Sequence, residues 1–275
     1  MTLSLTGPLV LVGAGKMGGA LLAGWLGKGL AAKDVIVRDP TPAPEVAALI
    51  EAHKISLNVD VAEIAARAPA VVVLAVKPQL MDAVLPELVP LVAPDTLFIS
   101  IAAGTSLHRL KDLLGEEMRA VRAMPNTPVA VGRGMTACFA NALVSDAQRD
   151  VANALLAAVG AVGWVESEAQ IDAVTAISGS GPAYVYYLAE CMAAAGEALG
   201  LAPALAMQLA RATVSGAGEM LEQMPDEAAT LRKNVTSPGG TTAAALDVLM
   251  GEGGMSPLMR RAAAAARDRA RQLGQ

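Results

Sequence analysis

Two short runs hold most of the residues whose type and spacing could do chemistry. The first, Gly13-Ala14-Gly15-Lys16-Met17-Gly18, is a G-x-G-x-x-G pattern directly after the apolar stretch Leu9–Val12. At a strand-to-helix junction the first glycine allows a tight turn and the second lets backbone approach a pyrophosphate. The third permits close helix–strand packing. With 26 glycines in the chain, chance matches to this pattern are expected. Its position at the first strand–helix junction of an alternating chain is what makes it a dinucleotide seat. The second run is Asn234–Thr242, NVTSPGGTT. Its proline and glycines would leave several N–H groups unpaired at a helix start, beside the hydroxyls of Thr236, Ser237, Thr241 and Thr242. Such a helix start suits a carboxylate or phosphate. Read locally, the same residues also make an ordinary turn with an N-cap.

The ends of later strand-like runs extend the first site. Arg38 and Asp39 follow the apolar Val35–Val37. A carboxylate about 20 residues past the glycines bonds the ribose hydroxyls of NAD, whereas an arginine nearby pairs with the 2′-phosphate of NADP. Both residue types stand here side by side, so NADPH and NADH both stay open, and both residues also read as solvated loop charges. Ala75-Val76-Lys77-Pro78 leaves the run Ala70–Val76, and Ala102 and Ala103 follow Thr96–Ile101 with the small side chains that a backbone facing a nicotinamide needs. Asn126 sits in the rigid polar loop Met124–Pro128. Each of these alone reads as a loop. Together they fall at successive strand ends, where doubly wound sheets bind their ligands.

The elements that must position these residues change character along the chain. Up to about Val165, short apolar runs alternate with helical stretches, including Met17–Leu30. Ala70–Val76 is fully apolar, as a parallel strand buried on both faces requires. Thr96–Ile101, Arg119–Ala123 and Gly134–Phe139 read as further strands. This alternation predicts an α/β Rossmann-type, doubly wound parallel sheet over residues 1–165. Residues 166–275 read instead as an all-α domain, with helices over Tyr184–Leu199, Pro203–Gln223, Thr242–Met250 and Pro257–Leu273. Pro225–Lys233 reads as a polar turn. The first two of those helices carry small apolar residues nearly all round, which calls for burial on several sides and hence dimerisation.

Composition narrows the function classes. Hydrophobic residues make up 54% and aromatics 3%, with a mean hydropathy of +0.46. The strongest apolar run, Val151–Val165, is shorter than the roughly 20 residues that a spanning helix needs, and Glu190 and Glu197 interrupt Leu188–Leu209. No membrane span is expected. A secretory signal is not expected either, because the first positive charge, Lys16, lies inside the apolar stretch. A net charge of -5 and a pI near 5.1 argue against nucleic acid. Cys138 and Cys191 lack disulfide or metal spacing, and two distant histidines offer no metal site. The expectation is a cytoplasmic protein without a metal.

The motifs VGAGKMG (Val12–Gly18), AVKP (Ala75–Pro78), SIAAG (Ser100–Gly104) and RAMPNTP (Arg122–Pro128) occur together with DAVTAISGSGPAY (Asp172–Tyr184) and NVTSPGGTT. In this combination the chain strongly resembles the pyrroline-5-carboxylate reductases over essentially its whole length. The resemblance implies reduction of 1-pyrroline-5-carboxylate to L-proline by NADPH, with NADH as the alternative. It also implies a helical C-terminal domain like that of 6-phosphogluconate dehydrogenase, which interlocks into homodimers and in some members into decamers. By the resemblance, Gly13–Gly18, Lys77, Ala102, Ala103 and Asn234 fall on cofactor positions. Ser237, Gly240, Thr241 and Thr242 fall on substrate positions, Thr242 as proton donor or orienting hydroxyl, and Glu168 lies near the substrate. Where some relatives carry a Ser/Thr-rich segment, this chain has Arg38-Asp39-Pro40-Thr41.

The residue inventory tests that reading independently. Ketone reduction places charge on an alkoxide and usually enlists a Lys or His acid, yet residues 166–275 contain no histidine and only Lys233. A protonated cyclic imine already carries its proton, and a hydroxyl suffices to hold its nitrogen. SGSGP (Ser178–Pro182) has two readings, a lining of the cleft or the turn that starts the Tyr184 helix. The second is favoured, and Ser178 is the residue of the run expected to make a contact. Two rivals keep the cofactor motif: a 3-hydroxyacid dehydrogenase-like enzyme, which wants a lysine where Asp172–Gln223 has none, and a non-catalytic regulator that binds a nucleotide or pyridoxal phosphate.

Overall fold

A computed structural model describes residues Leu3–Gly274. The chain forms two compact units: residues up to Gly179 together with those from Arg267 onward, and residues Ser180–Ala266. The change in sequence character expected at residue 165 falls inside the first unit.

The first unit alternates strands and helices: β1 Leu9–Val12, α1 Lys16–Gly27, β2 Val35–Arg38, α2 Pro44–His53, β3 Ser56–Leu57, α3 Val61–Ala66, β4 Val71–Leu74, α4 Met81–Val84, β5 Leu97–Ser100, α5 Leu107–Leu114, β6 Arg119–Met124, β7 Gly134–Ala140, α6 Asp146–Ala157, β8 Gly160–Trp164 and α7 Gln170–Val174. All eight strands form one sheet in the order β3-β2-β1-β4-β5-β6-β7-β8. Chain order reverses direction between β1 and β4, the crevice in which such sheets bind nucleotides. β1, β4 and β5 are buried along their whole length because every residue faces either one hydrophobic layer or the other. Leu11, Trp25 and Val73 belong to the layer under α1, while Val10, Val72 and Leu85 belong to the layer on the opposite face.

The Rossmann-type expectation holds, with one departure from a wholly parallel sheet. β6 and β7 pair antiparallel. Only a short loop with a 3-10 turn, Thr127–Val131, joins them, and a parallel return needs a crossover of a dozen or more residues. The crossover through α6 then makes β8 parallel to β7. β3 and β8 were not expected from sequence. The apolar run Val151–Val165 divides into the end of α6 and β8. Gly160 at the break has φ 149°, and a Cβ there would lie 2.0 Å from the carbonyl oxygen of Gly134.

The second unit is helical: α8 Gly181–Ala198, α9 Pro203–Gln223, α10 Ala228–Asn234, α11 Thr241–Leu249 and most of α12 Met255–Leu273. α10 corrects the expectation of a plain polar turn over Pro225–Lys233. The segment after Pro225 instead makes two helical turns whose last turn carries Arg232 and Lys233, favourable charges at the negative end of a helix. α8 and α9 bury only the small side chains of Ala193, Ala206 and Ala210 between them. Tyr186, Tyr187, Leu205, Leu209 and Leu221 remain exposed on the single chain.

Candidate active site

The glycine run occupies the β1–α1 turn. Gly13 has φ 94°, and a Cβ there would lie 2.7 Å from the carbonyl carbon of Ala75. Only glycine lets β1 and β4 end this close together. A Cβ on Gly18 would meet the Gly13 carbonyl oxygen at 2.4 Å, so helix α1 can pack onto the turn only through this glycine. Gly15 is different. It is exposed, has ordinary φ, and an added Cβ would meet nothing within 4 Å. Gly15 is also the N-cap of α1 and makes no side-chain cap, so the first N–H groups of the helix have no side chain to satisfy them. Two glycines fixed by the fold and a third facing open space form a cradle that fits a pyrophosphate. Lys16 is exposed at the start of α1, and Met17 is half-buried.

The neighbouring strand ends border the same turn. Ala75 donates its N–H to Val12 at 2.7 Å, and Val76, exposed Lys77 and Pro78 lead away from β4. After β5, Ala102 is buried and Ala103 exposed, and Gly104 has φ 77°. At the end of β2, Asp39 accepts the N–H of Ala14 through Oδ2 at 2.6 Å and that of Thr41 through Oδ1 at 2.7 Å. Arg38 turns away, donating to the Val59 carbonyl and to Glu87.

Two expected contact residues are engaged by the protein itself. Asn126 Nδ2 donates to the carbonyl and hydroxyl oxygens of Ser178 at 3.3 and 3.2 Å, and Asn126 Oδ1 accepts the N–H of Met135 at 2.9 Å. Ser178 lies in a π-helical turn, Thr175–Gly179, immediately before α8. The Glu168 carboxylate accepts from Arg122 Nη1 at 2.7 Å and from the N–H of Leu107 at 2.8 Å. In the sequence Arg122 stands out only as the first residue of the RAMPNTP motif. The signal available for its role is an arginine set between apolar Val121 and Ala123 inside the strand, unlike Arg119 at the strand's start. Together with Asp172 and Arg271, the Arg122–Glu168 pair borders a cavity of about 350 Å³ in the first unit.

The second unit holds the other residue group. Asn234 ends α10, and Ser237, Gly239 and Gly240 form the turn into α11. Gly240 donates its N–H to the Ser237 carbonyl at 3.0 Å. A Cβ on Gly240 would lie 2.4 Å from Ser237 Oγ, so glycine here keeps room for that hydroxyl. The N-cap of α11 is Gly240, with no side-chain hydrogen bond to the first N–H groups. Thr241 and Thr242 are the first two helical residues, Thr241 exposed and Thr242 half-buried. Thr236 instead donates its hydroxyl back to the Arg232 carbonyl at 2.6 Å. A carboxylate set over this turn would meet free N–H groups at the positive end of a helix.

Comparison with known proteins agrees with both halves. Residues 168–273 match the family described as pyrroline-5-carboxylate reductase dimerisation, and residues 8–104 match NADP oxidoreductase coenzyme F420-dependent. No helix among the described residues is long and apolar enough to cross a membrane, and the matched dimerisation domain makes the chain an oligomer-forming one. A pyrroline-5-carboxylate reductase of Pseudomonas aeruginosa is 43% identical over 274 residues, covering 97% of this chain and 98% of the relative. The solved pyrroline-5-carboxylate reductase of Coxiella burnetii superposes with a TM-score of 0.91 at 36% identity, covering 98% of this chain and 99% of the other. That of Plasmodium falciparum, solved with NADP bound, gives 0.81 at 29% identity with the same coverage. Identity at this level, sustained through both units, makes the chain a member of the pyrroline-5-carboxylate reductase family.

Proposed function

We propose that this chain reduces 1-pyrroline-5-carboxylate to L-proline, the last step of proline synthesis, with NAD(P)H as reductant. The observation that carries the reading is the uncapped start of α11 with its Ser237 and Thr242 hydroxyls, in a unit that has no histidine and a single lysine. Bound NAD(P)H supplies a hydride to C5 of the protonated imine, and the C=N electron pair becomes the lone pair of the product amine. No proton has to be delivered to an oxyanion, so the missing strong acid is no obstacle. In this reading the N–H groups of Gly239, Thr241 and Thr242 and the Ser237 hydroxyl hold the substrate carboxylate, while the Gly240 N–H closes the turn onto the Ser237 carbonyl. Thr242 accepts from, and so orients, the ring N–H.

Magnitudes favour so simple a seat. A hydrogen bond to a charged group contributes about 1.5–3 kcal/mol, and the helix terminus roughly 0.3–1 kcal/mol more. Two such bonds reach the ~4 kcal/mol of millimolar affinity. The remaining catalytic task is to position C5 against the nicotinamide. For the cofactor we propose contacts from Gly13, Ala14, Gly15, Lys16, Met17 and Gly18, from the strand ends Ala75–Pro78 and Ala102–Ala103, and from Asn234. Asn126 and Glu168 would act from behind, through Ser178 and Arg122.

The proposed assembly is a homodimer through the exposed apolar faces of α8 and α9, in a cytoplasmic enzyme, with association into decamers as its extension. Light scattering of the purified chain reads the assembly directly. The activity test is loss of nicotinamide absorbance with 1-pyrroline-5-carboxylate compared with a 3-oxoacid. Oxidation with the imine alone is the expected result. Oxidation with the 3-oxoacid alone, or with neither, would remove the reading.

A further inference from the structure

Asp39 and Arg38 are adjacent in sequence, yet they serve opposite faces of the sheet. Val35 and Val37 pack in the layer with Leu21 and Trp25, whereas Ile36 packs with Ile64, Leu85 and Leu88. The two-residue period of an extended chain carries Asp39 to the α1 face with Val37, and Arg38 to the other face with Ile36. The hydrogen bonds agree. Asp39 reaches the glycine-rich turn at Ala14, while Arg38 reaches the Val59 carbonyl and lies 3.4 Å from Glu87.

Asp39 is also fixed in place. Asn58 accepts its N–H at 2.8 Å and donates to its carbonyl at 2.9 Å, so the backbone is clamped, and the N–H groups of Ala14 and Thr41 take one carboxylate oxygen each. A carboxylate offers about four lone-pair sites, so each oxygen keeps acceptor capacity beside the cradle. Ribose hydroxyls can donate to that capacity. A 2′-phosphate cannot, because its oxygens are acceptors, and it brings a charge of about −1.5 to −2 near neutral pH. The guanidinium that would offset that charge is held on the far face of the sheet.

We propose that Asp39 makes this enzyme discriminate in favour of NADH and against NADPH, and that Arg38 is a strut of the fold and not the partner of a 2′-phosphate. The inference deepens the cofactor reading above and rests on it. It assigns the choice between the two nicotinamides to one carboxylate and its backbone clamp.

The test is binding in the absence of substrate. NADH and NADPH are titrated separately into the full-length enzyme while nicotinamide fluorescence is followed. Kd for NADH should be lower by about ten-fold or more, a modest figure for like charges brought together. The gap should narrow as ionic strength rises, because screening weakens repulsion between partly exposed charges. Asp39→Asn keeps the shape and one acceptor oxygen, and should bring the two Kd values close together, chiefly by tightening NADPH. Asp39→Ser, checked for folding by thermal melting, should do the same. Equal or tighter binding of NADPH to the unaltered enzyme would overturn the discrimination alone. A gap insensitive to both salt and substitution would also overturn it. Binding of neither nucleotide would overturn the cofactor seat, and this inference with it.

Discussion

Glu168 Oε1 accepts both a guanidinium proton of Arg122, at 2.7 Å, and the N–H of Leu107, the first residue of α5, at 2.8 Å. Arg122 sits in β6 with its side chain 9% exposed, among apolar neighbours. A guanidinium stays charged at such depth and is costly to bury without a partner. Glu168 supplies that partner and also places a negative group at the positive end of α5. One carboxylate therefore ties β6 to the helix that follows the Ser100–Gly104 strand end.

From this follows the first prediction. Breaking a fully buried ion pair costs roughly 3–5 kcal/mol, but the Glu168 side chain is 27% exposed and water can reach the gap. Glu168→Ala should therefore destabilise the fold by about 1.5–3 kcal/mol, the scale of a hydrogen bond to a charged group. Glu168→Gln should cost less, since it keeps an acceptor for one donor. Denaturant unfolding measures both. If Glu168 acts as a prop, the imine KM of the Gln variant should stay within about two-fold of the unaltered enzyme. A larger rise in KM with unchanged stability would instead make Glu168 a direct substrate contact.

Gly15 separates binding from folding. A methyl group there meets no protein atom within 4 Å, and its φ of −76° is ordinary. Gly15→Ala should therefore cost only about 1 kcal/mol of stability, through its less favourable N-cap. It should nevertheless weaken dinucleotide binding by about ten-fold or more, because the methyl occupies the space into which a pyrophosphate must fit. Gly13→Ala should fail differently, by unfolding, since its Cβ has no room against Ala75. Parallel melting curves and nucleotide titrations distinguish the two.

How legible each feature was in the sequence depended on what fixed it. β1 and β4 are wholly apolar because both their faces are buried, so composition alone identifies them. β8 lay hidden in Val151–Val165, where a helix end and a strand share the same residue types and only Gly160 marks the break. β3 is two residues long, too short for any period to register. The cofactor turn was legible for a stronger reason: Gly13 and Gly18 are demanded by backbone collisions, and that demand leaves glycine in the sequence. The ties behind the site were not legible. Arg122 and Glu168 are 46 residues apart, and Asn126 and Ser178 are 52 apart. No local pattern records a pairing made only when β6 meets the segment after β8. For Asp39 and Arg38 the two-residue period gives the opposite faces, but their partners Ala14, Asn58, Val59 and Glu87 lie 19 to 49 residues away and leave no local trace.

Cys138 offers a test of the sheet itself. It is fully buried in β7, and burial pushes its thiol up to about 12, against a smaller lowering from the charge of Arg149. The thiolate is the reactive form, so in a Cys191→Ser variant the remaining thiol should resist alkylation in the native protein at mildly alkaline pH. It should react once the chain is unfolded. The raised value means that the folded state favours the neutral thiol. Its contribution to stability is therefore complete below the ordinary value of 9.0 and is lost as pH rises toward about 12. Rapid alkylation under native conditions would mean that β7 opens locally.

Thr242 is the residue on which the proposed chemistry turns. It is the second residue of α11, half-buried, directly after the glycine turn. If its hydroxyl holds the ring nitrogen while the hydride is transferred, Thr242→Ala should lower kcat by about 10–1,000-fold, as loss of one transition-state hydrogen-bond partner does. The carboxylate seat at Ser237 and the α11 N–H groups would remain, so KM should change little. Thr242→Ser restores the hydroxyl and should recover most of the rate, which a packing defect from the missing methyl would not allow. Ser237→Ala should show the converse, a raised KM with kcat largely kept, because it removes a contact to the carboxylate that is the same in substrate and transition state. An unaltered kcat in well-folded Thr242→Ala protein would take Thr242 out of the mechanism and leave positioning over the α11 start as the whole of the catalytic contribution from this turn.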